Sequence, residues 1–140
     1  MLLKLDGDKL FQYIDESDNI RKVTDLDINT YIQQYMGTDF SIKDFRTYAA
    51  NYHFVESLIK ETNKRSPKNE KTIKKNIINA LHTTAHFLRH TKSISKKSYV
   101  MNFAIDLYKS NPKYFMSRGD DINEILLDLL KLYKQKILQL

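Results

Sequence analysis

"SIKDFRTYAANYHFVESLIKETNKR", Ser41 to Arg65, runs straight into "SPKNEKTIKKNIINALHTTAHFL", Ser66 to Leu88, and these two stretches decide the fold. The first opens on Ser41 with Asp44 three residues later, the pattern of a capping box at a helix start. Phe45, Tyr48, Ala49, Tyr52 and Val55 then recur at helical spacing, which predicts that they share one buried face. Ser66-Pro67 breaks this helix, and proline suits the first turn of the next. From about Lys68 to Leu88 a second stripe follows: Ile73, Ile77, Ala80, Leu81, Thr84, Ala85 and Leu88. Two long amphipathic helices in succession predict a mainly α domain.

Upstream, residues 1–23 read as a short extended region. "LFQYI" (Leu10 to Ile14) has strand character and "DESDN" is a turn. Thr24, with Asp27 three residues on, predicts another helix start, and Gly37 its stop. Leu26, Tyr31, Ile32 and Tyr35 form that helix's apolar stripe. Downstream, a helix is expected from about Ser95 to Asn111-Pro112, and a last one capped by Asp120 or Asp121.

The 140 residues suit one compact domain or a piece of a larger one. The start, "MLLKLDGDK", lacks the basic region, apolar core and cleavage site of a signal peptide, and no apolar run is long enough to span a membrane. With no cysteine, disulfides, thiolate nucleophiles and Cys-ligated zinc are excluded. The net charge is +6, and it is concentrated. Between Lys60 and Lys97 eleven basic residues face two acids, a local balance of +9. Charge clustered in this way points to a polyanion partner, with a solvated lysine-rich face as the alternative.

Inside that basic region lies "LRHTKSISKKSYV", Leu88 to Val100. A tyrosine phenol has a pKa near 10 and is a poor nucleophile at neutral pH, but cationic neighbours favour its phenolate and an anionic target alike. Tyrosine attack on a phosphodiester gives a covalent phosphotyrosyl intermediate. Such a site needs an arginine, whose planar fork suits the non-bridging oxygens, and a histidine for another oxygen. Arg46, flanked by Phe45 and Tyr48, is the candidate arginine, because an arginine set among core aromatics is costly without an anion to meet.

On these residues the chain resembles the type IB DNA topoisomerases. "KDFRTYAAN" is similar to that family's second-arginine motif. "HTKSISKKSY" is similar to the motif of its histidine and nucleophilic tyrosine, with the same separation between His90 and Tyr99. "LFQY…VTDLDINTYI" resembles the segment preceding the arginine motif, so the likeness runs from about Leu10 to Val100, and the poxvirus and giant-virus branch is the nearest in pattern. The resemblance implies a mainly α, compact helical domain of the DNA breaking-rejoining catalytic core, with a short β element at the N-terminus. It implies Arg46 as phosphate clamp, His90 as transition-state stabiliser and Tyr99 as nucleophile. Lys43, Arg89, Lys92, Ser95, Lys96 and Lys97 are then expected DNA contacts. The implied activity is transient single-strand cleavage of duplex DNA through a 3′-phosphotyrosyl link, relaxation of supercoils by strand rotation, and religation. No ATP, metal or other cofactor is implied. A monomeric intracellular protein is expected, in cytoplasm or virion if viral, or in the nucleus.

Two departures from the family pattern stand out. The family also uses an upstream arginine and a general-acid lysine on a β-hairpin, and neither is identifiable here. The expectation is a C-terminal part of the catalytic domain, 1–140, almost inert in isolation, with the missing N-terminal portion as a partner. Arg89 replaces the family's usual glycine before the histidine; its bulk would disturb the loop, or its charge would meet phosphate. The alternatives are a tyrosine recombinase, disfavoured because Lys43 stands where those enzymes have histidine, and a non-catalytic DNA-binding remnant. His82, His86 and His90, four apart, invite a zinc reading. It is disfavoured by the cationic surroundings, by the lack of an acidic ligand beside them, and because the helix is expected to end before His90. His53 reads as packing.

Overall fold

A computed structural model describes residues 11–89, 99–116, 119 and 121–139, without the side chains of Tyr99 and Val100. The chain divides into two compact units, and the division falls within a helix, between Phe45 and Arg46.

The first unit opens with strands β1 (Gln12–Ile14) and β2 (Ile20–Lys22), paired antiparallel with Tyr13 opposite Arg21. Asp15 builds the turn between them. Its carboxylate accepts from the Ser17 and Asn19 amides and from Arg21 Nε at 2.7 Å. Arg21, followed by those amides, holds the Asp15 carboxyl below its usual range. Helix α1 (Asp25–Met36) starts on the Thr24–Asp27 capping box that the sequence predicts, and stops at Gly37. Gly37 has φ +103°, a conformation closed to side-chain-bearing residues, while its N–H closes the helix on the Gln33 carbonyl. The apolar stripe expected on α1 is left uncovered among the described residues. Leu26, Tyr31 and Tyr35 are exposed, only Ile32 is partly covered, and no residue of α1 is buried.

Helix α2 (Ile42–Lys64) begins where the Ser41–Asp44 pair predicts. Asp44 accepts from both the backbone and the hydroxyl of Ser41. From Arg46 onward α2 belongs to the second unit, with α3 (Glu70–Phe87), α4 (Tyr99–Ser110), a 3₁₀ turn (Pro112–Phe115) and α5 (Ile122–Leu138). The buried face of α2 is rotated from the predicted one. Ala50, Phe54, Val55 and Leu58 are buried, whereas Phe45 and Tyr48 are about half exposed. Proline 67 does not sit in the first turn of α3: Asn69 caps it, accepting from the Thr72 amide at 2.9 Å. The predicted α3 stripe is otherwise found, with Ile77, Ala80, Leu81, Thr84 and Ala85 buried. The expected helix start near Ser95 lies outside the described residues. Asp121 caps α5 through the Asn123 amide.

The core of this unit is Phe54, Leu58, Ala80, Leu81, Met101, Ala104, Tyr108, Phe115, Ile125 and Leu129. A buried polar cluster ties three of its helices. Asn76 donates from Nδ2 to the Arg65 carbonyl at 2.9 Å and to the Tyr108 hydroxyl at 2.8 Å, and accepts from Arg65 Nη1 at 2.9 Å. Thr62 Oγ1 lies 2.6 Å from the Leu58 carbonyl and 2.9 Å from the Tyr108 hydroxyl. One threonine proton serves only one of these contacts. It goes to the carbonyl, which has no proton to give, and Tyr108 donates to Thr62. Every member is then satisfied, which is the condition for a buried polar network to be stable.

Candidate active site at the carboxyl end of α3

Arg46 lies one turn into α2, and its Nη2 donates to the carbonyl of Leu88 at 3.4 Å. Leu88 is the residue on which α3 ends. The arginine motif and the segment leading to His90 are therefore neighbours in space although 42 residues apart in sequence. The bond is long, so the guanidinium is held loosely and most of its five donors stay available. Arg46 is exposed, as are Phe45 and Tyr48 on either side. It is therefore not an arginine trapped among core aromatics. Its availability to an anion comes from its place at the rim.

Side chains beside Arg46 fix the ends of its helix neighbours. The Tyr48 hydroxyl donates to Asn123 Oδ1, tying α2 to the first turn of α5. The His53 ring packs on Phe87 with centroids 3.5 Å apart, and its Nδ1 lies 3.7 Å from Glu56 Oε2. The hydrogen bond from Lys60 leads the effects that lower the Glu56 carboxyl, against the opposing effect of partial burial. His53 is thus packing, as expected, and what it packs is the last residue of α3.

Beyond Leu88 the chain turns sharply. The Leu88 amide returns to the Thr84 carbonyl at 3.0 Å, and the Arg89 amide to the His86 carbonyl at 3.2 Å. Arg89 has φ +52°, in the left-handed region. This is the turn that ordinarily closes a helix with glycine, because any Cβ is disfavoured there.

Of the residues singled out in the sequence, Lys43 stands exposed in the first turn of α2, three residues before Arg46. Tyr99 is the first residue of α4. His90, Lys92, Ser95, Lys96 and Lys97 lie outside the described residues. Among the described residues, no group of three His, Asp or Glu is placed to hold a metal ion. His82 and His86 are exposed on α3. Sequence reasoning missed the Leu88 carbonyl, since a backbone oxygen has no signature in the residue string, and it missed Asn123 for lack of any nearby motif.

The basic stretch is also partly neutralised. Lys60 pairs with Glu56 at 2.9 Å, Arg65 with Glu61 at 3.3 Å and Lys74 with Glu70 at 2.7 Å. Lys64, Lys68, Lys71 and Lys75 are exposed where α2 ends and α3 begins, the opposite end of α3 from Leu88.

Comparison with known proteins bears on this site. The family model described as eukaryotic DNA topoisomerase I, catalytic core, matches residues 1–123. A DNA topoisomerase 1B of Acanthamoeba polyphaga mimivirus is 52% identical over 143 residues, covering 99% of this chain and 43% of that protein. A DNA topoisomerase 1 of Rabbit fibroma virus (strain Kasza) is 33% identical over 85 residues, 61% of this chain and 26% of that protein. The chain thus spans less than half the length of these relatives.

Proposed function

Because this chain belongs to the DNA topoisomerase I catalytic-core family, whose model covers residues 1–123, we propose that it binds duplex DNA and contributes the arginine, histidine and tyrosine of a type IB site that cleaves and rejoins one strand. The Tyr99 hydroxyl loses its proton as its oxygen attacks the scissile phosphorus, the 5′-oxygen of the next nucleotide leaves and takes a proton, and a 3′-phosphotyrosyl ester forms. The free strand rotates, releasing torsion. The 5′-hydroxyl then attacks the ester, loses its proton and regenerates the phenol. The ester conserves the energy of the broken bond, so this route uses no nucleotide. Arg46 and His90 hold the non-bridging oxygens. The observation that carries this reading is the bond from Arg46 to Leu88, which joins the arginine motif to the segment entering the histidine–tyrosine motif.

The arginine and general-acid lysine implied by the resemblance belong, in this reading, to a complementary part of the catalytic domain. The 43% coverage of the mimivirus relative supports this. So does α1, which buries none of its residues and leaves Leu26, Tyr31 and Tyr35 64–74% exposed. Apolar side chains clustered at a surface mark a place for a partner. Without the acid the leaving oxygen departs unprotonated, and general acid catalysis contributes typically about 10²–10⁴-fold. The place of action is inside the cell or virion, where the DNA is.

Covalent capture tests the proposal. The chain is incubated with a duplex whose cleaved strand loses its short 3′ piece, alone and with the complementary part of the mimivirus relative, and is then denatured in detergent. An adduct that needs the complement and vanishes in Tyr99→Phe supports the assignment. Folded protein that binds DNA but gives no adduct with the complement would leave a non-catalytic binding remnant.

A further inference from the structure

We propose that Arg89 contacts a backbone phosphate at the cleavage site, and that its charge converts the carboxyl end of α3 into a seat for an anion. The inference rests on the DNA-binding reading above.

The carboxyl end of a helix is a poor place for phosphate. Its unpaired carbonyls carry partial negative charge, equivalent to roughly half an elementary charge, and they favour cations. Yet Arg46 projects to this end, with Nη2 3.4 Å from the Leu88 carbonyl. One guanidinium partly engaged with a carbonyl does little more than offset the helix end. An anion held there needs a second cation on the same spot. Arg89 is the next residue in the chain, it is exposed, and no carboxylate among the described residues pairs with it.

Its backbone sharpens the point. Arg89 occupies the left-handed position with φ +52°, its amide bonded to the His86 carbonyl. Glycine takes this conformation without steric cost, and arginine does not. A residue held in a disfavoured conformation beside a site suggests that its side chain is used there. The planar fork of arginine matches the non-bridging oxygens of a phosphodiester. A more modest role would be to offset the helix end alone, without touching DNA. The two roles give different salt dependence, since only a phosphate contact releases a counterion.

The experiment uses the full chain, its Arg89→Gly and Arg89→Lys variants, and a short fluorescent duplex. Binding is followed by anisotropy across salt concentrations, and unfolding by thermal melting. Arg89→Gly is expected to melt higher, by on the order of 3 °C, as the strained turn relaxes. It should also bind DNA more weakly, with the slope of log K against log salt reduced by about 0.9, one phosphate contact. Arg89→Lys should melt like the parent and keep the slope. A glycine variant with an unchanged slope overturns the proposal, leaving Arg89 as a helix-end charge. A glycine variant that melts no higher overturns it through its conformational premise. A lysine variant that loses as much slope as glycine overturns it too. If the parent chain fails to bind duplex even at low salt, the DNA-binding reading itself falls, and this inference with it.

Discussion

Removing one oxygen from Tyr108 tests the polar cluster that holds α2, α3 and α4 together. Tyr108 is fully buried, and its ring packs edge-on against Phe115 with centroids 5.4 Å apart. Phenylalanine keeps that packing, so Tyr108→Phe isolates the hydroxyl. Its loss strands the Asn76 Nδ2 proton, 2.8 Å away on a residue with no exposure. Thr62 loses a donor but keeps its bond to the Leu58 carbonyl. An orphaned buried donor costs about 1–3 kcal/mol, so Tyr108→Phe should cost about 2 kcal/mol. Asn76→Ala removes three hydrogen bonds and leaves a small void, and should cost about 3–4 kcal/mol. Once Asn76 is gone, the tyrosine hydroxyl has less to satisfy. The double variant should therefore be less destabilised than the two costs added, with a coupling of about 1–2 kcal/mol. Urea unfolding followed by circular dichroism measures all four corners of the cycle. A cost below about 0.5 kcal/mol for Tyr108→Phe, or strict additivity, would refute the closed network.

Arg46→Ala should lower adduct formation with the complementary segment by roughly 10²–10³-fold, the loss expected for one electrostatic contact to the transition state. Its melting temperature should barely move, since the side chain is exposed and its one bond to Leu88 is long. Unchanged adduct yield would remove Arg46 from the site. The cap of α2 makes a prediction about acid. Hydrogen bonds from the Ser41 hydroxyl and then its amide hold the Asp44 carboxyl below its ordinary value of 3.8. The ionised form is thus favoured in the fold, and the stabilisation is complete above that value and fades as pH falls below it. Asp44→Ala should melt lower than the parent at neutral pH, and the gap should close below about pH 4, as read from melting curves across pH. A gap that stays constant into acid would mean that the carboxylate is not the capping group.

The helices were legible because their signals are local. Thr24 with Asp27, Ser41 with Asp44 and the spacing from Ile73 to Ala85 each act within a turn or two, and each was found. Burial is different, because it depends on what lies opposite. The α1 stripe reads correctly as amphipathic, yet Leu26, Tyr31 and Tyr35 are exposed. Periodicity says which residues share a face and not whether anything covers it. Phe45 and Tyr48 follow the helical spacing and are half exposed for the same reason. Helix α3 starts at Glu70 rather than at the expected Lys68, because Asn69 is a better cap than anything beside Pro67. Asn76 and Thr62 left a faint trace as polar residues beside apolar stripes, and Tyr108 left none. The arginine motif was legible as a resemblance. The left-handed turn at Arg89 was foreshadowed only by the family's preference for glycine at that position.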